Sequence, residues 1–421
     1  MASWFHYDSD YTLVDSMHDS VRFAVDHNHI PYHSHLCAKS TFVDCRARIM
    51  HWHDFGDLEG PGWAANAVGG ACEIYAYAMR FGDRVRARKA LLVLEHVLDD
   101  GFVDYQTGFI VGYRDTRTDK SCLNFKHNDD WFCAGSMAKI GFQLLEFSDL
   151  LRDERRVADM RTVATKMAEW IHAIIKPLPN GWYPKRSTRA GKDFRTHSWG
   201  DEDPVFEKSG DGLFIVQLMV ALTARGLADW TGEIRRAIKV FMDAGGIFGA
   251  INHDTRDEHE NVAYAVAFRV LRAAANLLND EKTRRFAYDR CLGGLDRFKL
   301  REDRNGVTCK GLLYMEDLWD TAYLWENAEA ALAYVEAFEE SGNTTFRDEA
   351  FTILHAISKH HHGPYGFLTE GVDWNNWVGR KHHFRRAKYG DIRYTEPLLN
   401  NLHHTEAALR LIRLCPELGS E

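Results

Sequence analysis

The sequence predicts an all-α fold, six inner and six outer helices closed into a ring, with short β-hairpins at one end. Three observations predict it. Apolar residues recur at steps of three and four over long stretches, the spacing of one helical face. A turn of Gly with an aromatic or aliphatic residue, then a polar loop, then an apolar helix recurs at roughly 60–80 residues, the long period of helical repeats. Strongly apolar helices alternate with amphipathic ones, and the terminal pairs are as apolar as the middle ones. An open stack would need polar capping repeats at its ends; a closed ring needs none.

The apolar, inner helices come in order at 63–81, 131–147, Gly212–Ala224, Asn261–Leu278, 319–338 and 398–411. Most open on an acid with Trp or His nearby: Asp129-Asp130-Trp131, Asp201-Glu202-Asp203, Asp257-Glu258-His259 and Glu316-Asp317 ahead of Trp319. In the fifth, Leu318, Ala322, Trp325, Ala328, Leu332, Val335 and Phe338 form one apolar face, and Ala330, Ala331, Ala333 and Ala337 leave the other side small enough to pack. A helix apolar on most sides is buried. Between these lie amphipathic helices at 84–98, 155–175, 231–241, 281–298 and 345–360, whose Arg, Lys and Glu suit the solvent side. About twelve helices are expected. The punctuating turns are Gly101-Phe102 with Gly108-Phe109, Gly181-Trp182, Gly246–Gly249, Gly306-Val307 with Gly311-Leu312, and Gly366-Phe367.

With nine prolines and no low-complexity linker in 421 residues, one domain over 1–421 is expected. A net charge of -9 argues against nucleic acid as the partner. The eight cysteines are scattered with no C-x-x-C pair, as in a reduced, cytoplasmic protein. The N-terminus has neither a basic region nor an apolar core of a leader. The longest apolar run, 212–222, is interrupted by Gln217 and falls short of the roughly 20 residues that cross a bilayer, so no membrane association is expected. A homo-oligomer is compatible with the sequence. Twelve Trp, 16 Tyr and 24 Phe supply aromatic plates beside polar groups, which suit the apolar faces and hydroxyls of sugars.

Closure of the ring brings the six acidic openings around one cavity. In this arrangement the chain resembles the (α/α)6-barrel carbohydrate-active enzymes. Tyr323-Leu324-Trp325-Glu326-Asn327-Ala328-Glu329-Ala330-Ala331 is similar to the K-x-W-W-P-Q-A-E-A-L helix of the N-acylglucosamine 2-epimerase and cellobiose 2-epimerase group, without its Pro-Gln pair. Glu258-His259-Glu260-Asn261 resembles that group's G-H-x-x-E. Leu402-His403-His404-Thr405-Glu406-Ala407 resembles its Y-H-x-x-R-A, with Glu406 in place of Arg. His127-Asn128-Asp129-Asp130-Trp131 resembles the Asp-rich helix opening of the unsaturated glucuronyl hydrolases, whose W-x-R-G-N-G-W signature is absent. The resemblance implies an (α/α)6 barrel acting on a carbohydrate.

The candidate chemistry follows from the acids and histidines. Asn128 or Asp129 can cap the helix, which leaves a neighbour in the Asp129–Asp130 pair, pressed against Trp131, to have its pKa raised and serve as a general acid. Asp203 lies in the densest acid cluster, where like charges share protons, bind a cation or simply face solvent. His259 sits among three acids that favour its charged form. Glu316 and Asp317 repeat the pattern. The stretch 380–393 is the one basic run; Arg385, Arg386 and Arg393 would hold a carboxylate bidentately, which favours an anionic sugar such as a uronate. Trp131, Trp199, Trp319, Trp374, Glu316 and His403 would line the sugar. No H-E-x-x-H, zinc-spaced Cys, Walker A, Rossmann or G-x-S-x-G pattern occurs, so neither metal nor cofactor is expected.

The first reading is a hydrolase of oligosaccharides containing uronic acid, with Asp129 or Asp130 as acid and a carboxylate near 201–203 or 316–317 activating water. The second is a sugar epimerase or isomerase using His259 with His403 or His404. A uronate lyase and a non-catalytic helical-repeat binding protein complete the set.

Overall fold

The computed structural model describes residues 11–44, 49–52, 57–63, 65–124, 130–197, 200–251, 255–317, 321–362, 366–375, 394–395 and 397–420. The inner helices are α2 (Ala67–Phe81), α4 (Ala134–Leu150), α6 (Gly212–Ala224), α8 (Asn261–Leu278), α10 (Leu324–Ser341) and α12 (Pro397–Leu414). Each touches the next, and α12 touches α2, so the ring closes. Outside it pack α3 (Arg84–Asp99) on α2, α5 (Glu154–Ile174) on α4, α7 (Thr231–Asp243) on α6, α9 (Glu281–Phe286) on α8 and α11 (Thr344–Ser358) on α10.

The sixth outer helix is α1 (Leu13–Phe23), which packs on α12 and α11. It was not among the expected helices, yet its signals are present. Thr12 caps it in a reciprocal pair with Asp15, and Leu13, Met17 and Val21 recur every four residues and are buried. The N-terminal helix thus joins the ends of the chain into one wall.

Inner and outer helices begin differently. Asp83, Asp153, Asp280 and Asn343 cap α3, α5, α9 and α11 with their side chains. Among the described residues no side chain caps α2, α4, α6, α8 or α10. The N-terminal amides of the inner helices, and the positive ends of their dipoles, are therefore left for the loops and the cavity.

Three inner helices start later than predicted. Asn66 in the left-handed region (φ 45°) holds back α2 until Ala67. Phe132 pairs with Ser187 as extended chain before α4. Thr321–Tyr323 forms a strand, β8, against β11 (Gly371–Asp373), and α10 starts only at Leu324. Asn327 then pins the preceding loop, its amide accepting from Leu313 N at 2.7 Å and donating to Leu313 O at 3.0 Å. The expected outer helix 281–298 changes winding: α9 passes into a π turn and a 3-10 turn, where Gly294 lies so close to Tyr264 that a Cβ would come within 2.4 Å of its ring.

The punctuating glycines sit in turns. Gly108 (φ 74°) also lies under α5, where a Cβ would fall 2.3 Å from Met167 N. The short sheets are real. Strands β1 (His29–Tyr32) and β2 (His35–Ala38) form a hairpin. Strands β3 (Thr41–Asp44) and β4 (Ile49–Trp52) pair with β12 (Tyr394–Thr395), and β9 (His361–His362) pairs with β10 (Phe367–Leu368). Strands β5 (Leu58–Glu59), β6 (Tyr113–Asp115) and β7 (Lys120–Cys122) form one ladder, which leads the chain into the loop carrying Trp63. Among the described residues no helix is long and apolar enough to cross a membrane, and the seven described cysteines are free.

Candidate active site

The ring's interior is polar at its centre. Lys139 is the one cation of α4, and Arg269 lies on α8 three residues before Arg272; Lys139 and Arg269 are both buried in largely apolar helical runs. They meet at Glu329 of α10. Lys139 Nζ donates to Glu329 Oε1 at 2.9 Å, and an Arg269 guanidinium nitrogen donates to Glu329 Oε2 at 2.6 Å. Burial alone would raise the Glu329 carboxyl, but Lys139 and Arg269 hold it well below the usual carboxylate range. Arg269 also reaches Glu336, which Arg272 and Arg410 share.

His403 of α12 completes the group. Its Nε2 lies 2.9 Å from Glu329 Oε1. A carboxylate only accepts, so Nε2 carries the hydrogen and Nδ1 keeps its lone pair. Nδ1 is buried and has no hydrogen-bond partner among the described residues. Burial and the Lys139 charge lower the His403 pKa against the opposing pull of Glu329, so the ring is neutral at neutral pH.

Aromatic walls enclose this centre. The Lys139 ammonium lies 4.5 Å from the Trp63 ring, 5.1 Å from Phe214 and 5.8 Å from Trp325. Trp325 meets His403 edge-on at 5.9 Å. Trp63 Nε1 donates to Ser136 Oγ. Ser136 and the Gly135 amide donate to Asp211 at 3.2 and 2.8 Å. Burial outweighs these bonds and pushes Asp211 up to about 7. Two small cavities of about 50 Å³ flank Lys139 and Gln143. One is lined by Trp63, Asn66, Tyr113, Asn124 and Ser136, the other by Glu73, Gln217, Arg269, Glu329, His403 and Glu406.

Of the residues expected from sequence, the axial cavities take His403 alone. His404, next on the helix, points away and bonds Ser16 of α1 at 3.1 Å. His259 bonds Tyr264 at 2.8 Å and lines a separate hollow of about 620 Å³ with Glu258 and Arg290. Asp130 is exposed, ahead of a buried Trp131 that stacks on Phe194. Asp203 is locked between Arg186 at 2.6 Å and Lys185 at 3.2 Å. Asp317 is exposed and paired with Arg297 and Tyr314. Glu316 is buried beside Glu260 and accepts from Asp257 N at 3.0 Å; burial, then Glu260, push it up to about 8. Trp374 is buried under Arg304. Asp129, Trp199, Trp319, Arg385, Arg386 and Arg393 lie outside the described residues.

No family model and no characterised protein sequence matches the chain. Solved structures do. A cellobiose 2-epimerase from Bacillus thermoamylovorans superposes with a TM-score of 0.61 at 13% identity, over 95% of this chain and 99% of that one. A D-mannose isomerase gives 0.60 at 10% identity, over 98% and 100%. An unsaturated glucuronyl hydrolase specific for heparin gives 0.56 at 10%, over 96% and 98%. The chain is an (α/α)6 barrel. At these identities the likeness speaks for the fold alone. Sequence reasoning gave no role to Lys139, Arg269 or Glu329, although Lys139 is the one basic residue of the largely apolar α4 and Glu329 stands in the motif-like run 323–331.

Proposed function

We propose that this protein is a sugar isomerase that interconverts an aldose and a ketose, with His403 as the proton-transferring base. The observation that carries the reading is His403 itself, a buried neutral imidazole whose Nε2–H is fixed by Glu329 and whose Nδ1 lone pair is unpartnered among the described residues. Such a group takes the C2 proton of an open-chain aldose and returns it to C1 on the same face of the enediolate, while the O2 hydroxyl proton passes to O1, so one base suffices for the carbon-bound proton. The Lys139 ammonium, 3.4 Å from His403 Nε2, stabilises the charge that develops on the carbonyl oxygen. Trp63 and Trp325 provide the apolar plates.

A two-base 2-epimerisation would need a second proton carrier across the sugar, and His259 and His404 face elsewhere. The hydrolytic reading draws less support, because Asp130, Asp203 and Asp317 line neither axial cavity.

The test is incubation with a panel of neutral and uronic aldoses, ketoses and oligosaccharides in deuterated water, read by mass spectrometry and NMR. Aldose–ketose exchange with deuterium gain at the C1 and C2 positions is expected. His403→Asn is expected to lower kcat by roughly 10²–10⁴-fold. Cleavage of an oligosaccharide with no deuterium gain, unchanged in that variant, would sink the reading.

A further inference from the structure

Away from the axis, α3 and the β1–β2 hairpin bring together a second set of side chains. His35 Nδ1, from β2, and His96 Nδ1, from α3, both lie 2.7 Å from the same oxygen, Asp100 Oδ2. The donor atoms of the three all lie within 4.8 Å of one another. His96 is fully buried, whereas His35 and Asp100 keep 16% and 23% of their side chains exposed, so the group is open to solvent on one side only.

From this cluster we infer a binding site for a borderline divalent transition metal such as zinc, with His35 Nδ1, His96 Nδ1 and an Asp100 oxygen as ligands. Three features support it. The far nitrogen of His96, Nε2, is 2.9 Å from Glu59, whose carboxylate is held in turn by Arg114 at 2.6 Å. A carboxylate on the second imidazole nitrogen is what fixes a metal-binding histidine in the required tautomer. Asp100 caps the C-terminus of α3, where the helix dipole already places negative charge and a cation is favoured. Two imidazoles and one carboxylate, with open positions for water, form a ligand set suited to zinc or cobalt.

The alternative trio of Cys37, Glu59 and His96 is a poorer site. Burial pushes the Cys37 thiol up to about 12, and Arg114 lies 3.1 Å from the nitrogen that would have to bind. The inferred metal would tie the hairpin to the end of α3. It does not depend on the sugar chemistry assigned to the barrel axis.

The experiment titrates chelator-stripped full-length protein with Co²⁺, followed by its visible absorption, and with Zn²⁺, followed by calorimetry and by melting temperature. One equivalent is expected, with a higher melting temperature at saturation. His35→Gln and Asp100→Asn, which remove direct ligands, should each weaken binding by more than the roughly 10–100-fold that loss of an outer-shell partner costs. His33→Gln, on the same hairpin but outside the trio, should leave it intact. Binding that is absent in the wild type, or equal in the wild type and His35→Gln, would overturn the inference.

Discussion

At the scale of single residues, the axis depends on one carboxylate serving three partners. Glu329 neutralises Lys139 and Arg269 and orients His403. Glu329→Gln leaves a buried ammonium unpaired and frees the imidazole to turn. Loss of one member of a buried ion pair costs about 3–5 kcal/mol, so a drop of that size in chemical denaturation is expected, together with loss of turnover. The His403 base predicts the acid limb of the pH–rate profile. Its pKa is lowered, so the neutral form persists through neutral pH. Activity should fall only below the ordinary imidazole range near 6.5; a limb centred above 7 would remove His403 from the role. Sequence reasoning named His403 as a sugar-lining residue or as an alternative to His404 beside His259, and otherwise favoured acids beside loops. Those positions look reactive in one dimension because carboxylates cluster there. In three dimensions Asp203 and Asp317 are consumed by Arg186 and Arg297.

At the scale of elements, the inner helices were legible from their apolar faces, and Gly212 and Asn261 were found as starts, but the starts of α2, α4 and α10 were not. Strand β8, the extended turn at Phe132 and the left-handed Asn66 are set by neighbours far along the chain, which no local pattern records. A further long-range contact explains the glycine at the second position of α4, Gly135. A Cβ there would lie 1.9 Å from the Asp211 carbonyl oxygen, so α4 and the start of α6 meet backbone to backbone. Gly135→Ala must push them apart, at about 1–3 kcal/mol, and with them the Ser136 that holds Trp63. The junction where Glu316 packs on Glu260 makes a further prediction. Glu316 keeps its proton to about 8 when folded and loses it near the ordinary value when unfolded. Between these the folded state binds more protons, so this group's contribution is complete at low pH and is lost as pH rises towards 8. Glu316→Gln should flatten that decline by at least about 1.4 kcal/mol between pH 5 and pH 9, the equivalent of one pKa unit. An unchanged slope in urea denaturation would place the titration elsewhere.

At the scale of the whole molecule, the ring is only as closed as its last wall. Five outer helices follow their inner partners in sequence, but α12 is covered by α1, from the other end of the chain. The buried face of α1 belongs to the same core as the inner helices. Ser16 joins His361 and His404 across the seam at 2.8 and 3.1 Å. Three buried side chains of α1, Leu13, Met17 and Val21, belong to that core. At about 1.5–3 kcal/mol each, they contribute on the scale of the whole net stability of a typical domain, about 5–15 kcal/mol. Removing residues 1–24 should therefore abolish cooperative unfolding, because α12 loses its cover and the wall beside His403 opens. Met17→Ala is the milder probe, expected to cost about 2–5 kcal/mol and to lower turnover along with stability. An open stack of helix pairs would respond differently: loss of a terminal helix would trim its stability in proportion and leave the remaining pairs to melt as one. A truncated chain that still unfolds in a single sharp transition near the wild-type midpoint would show that the ring does not need its seam.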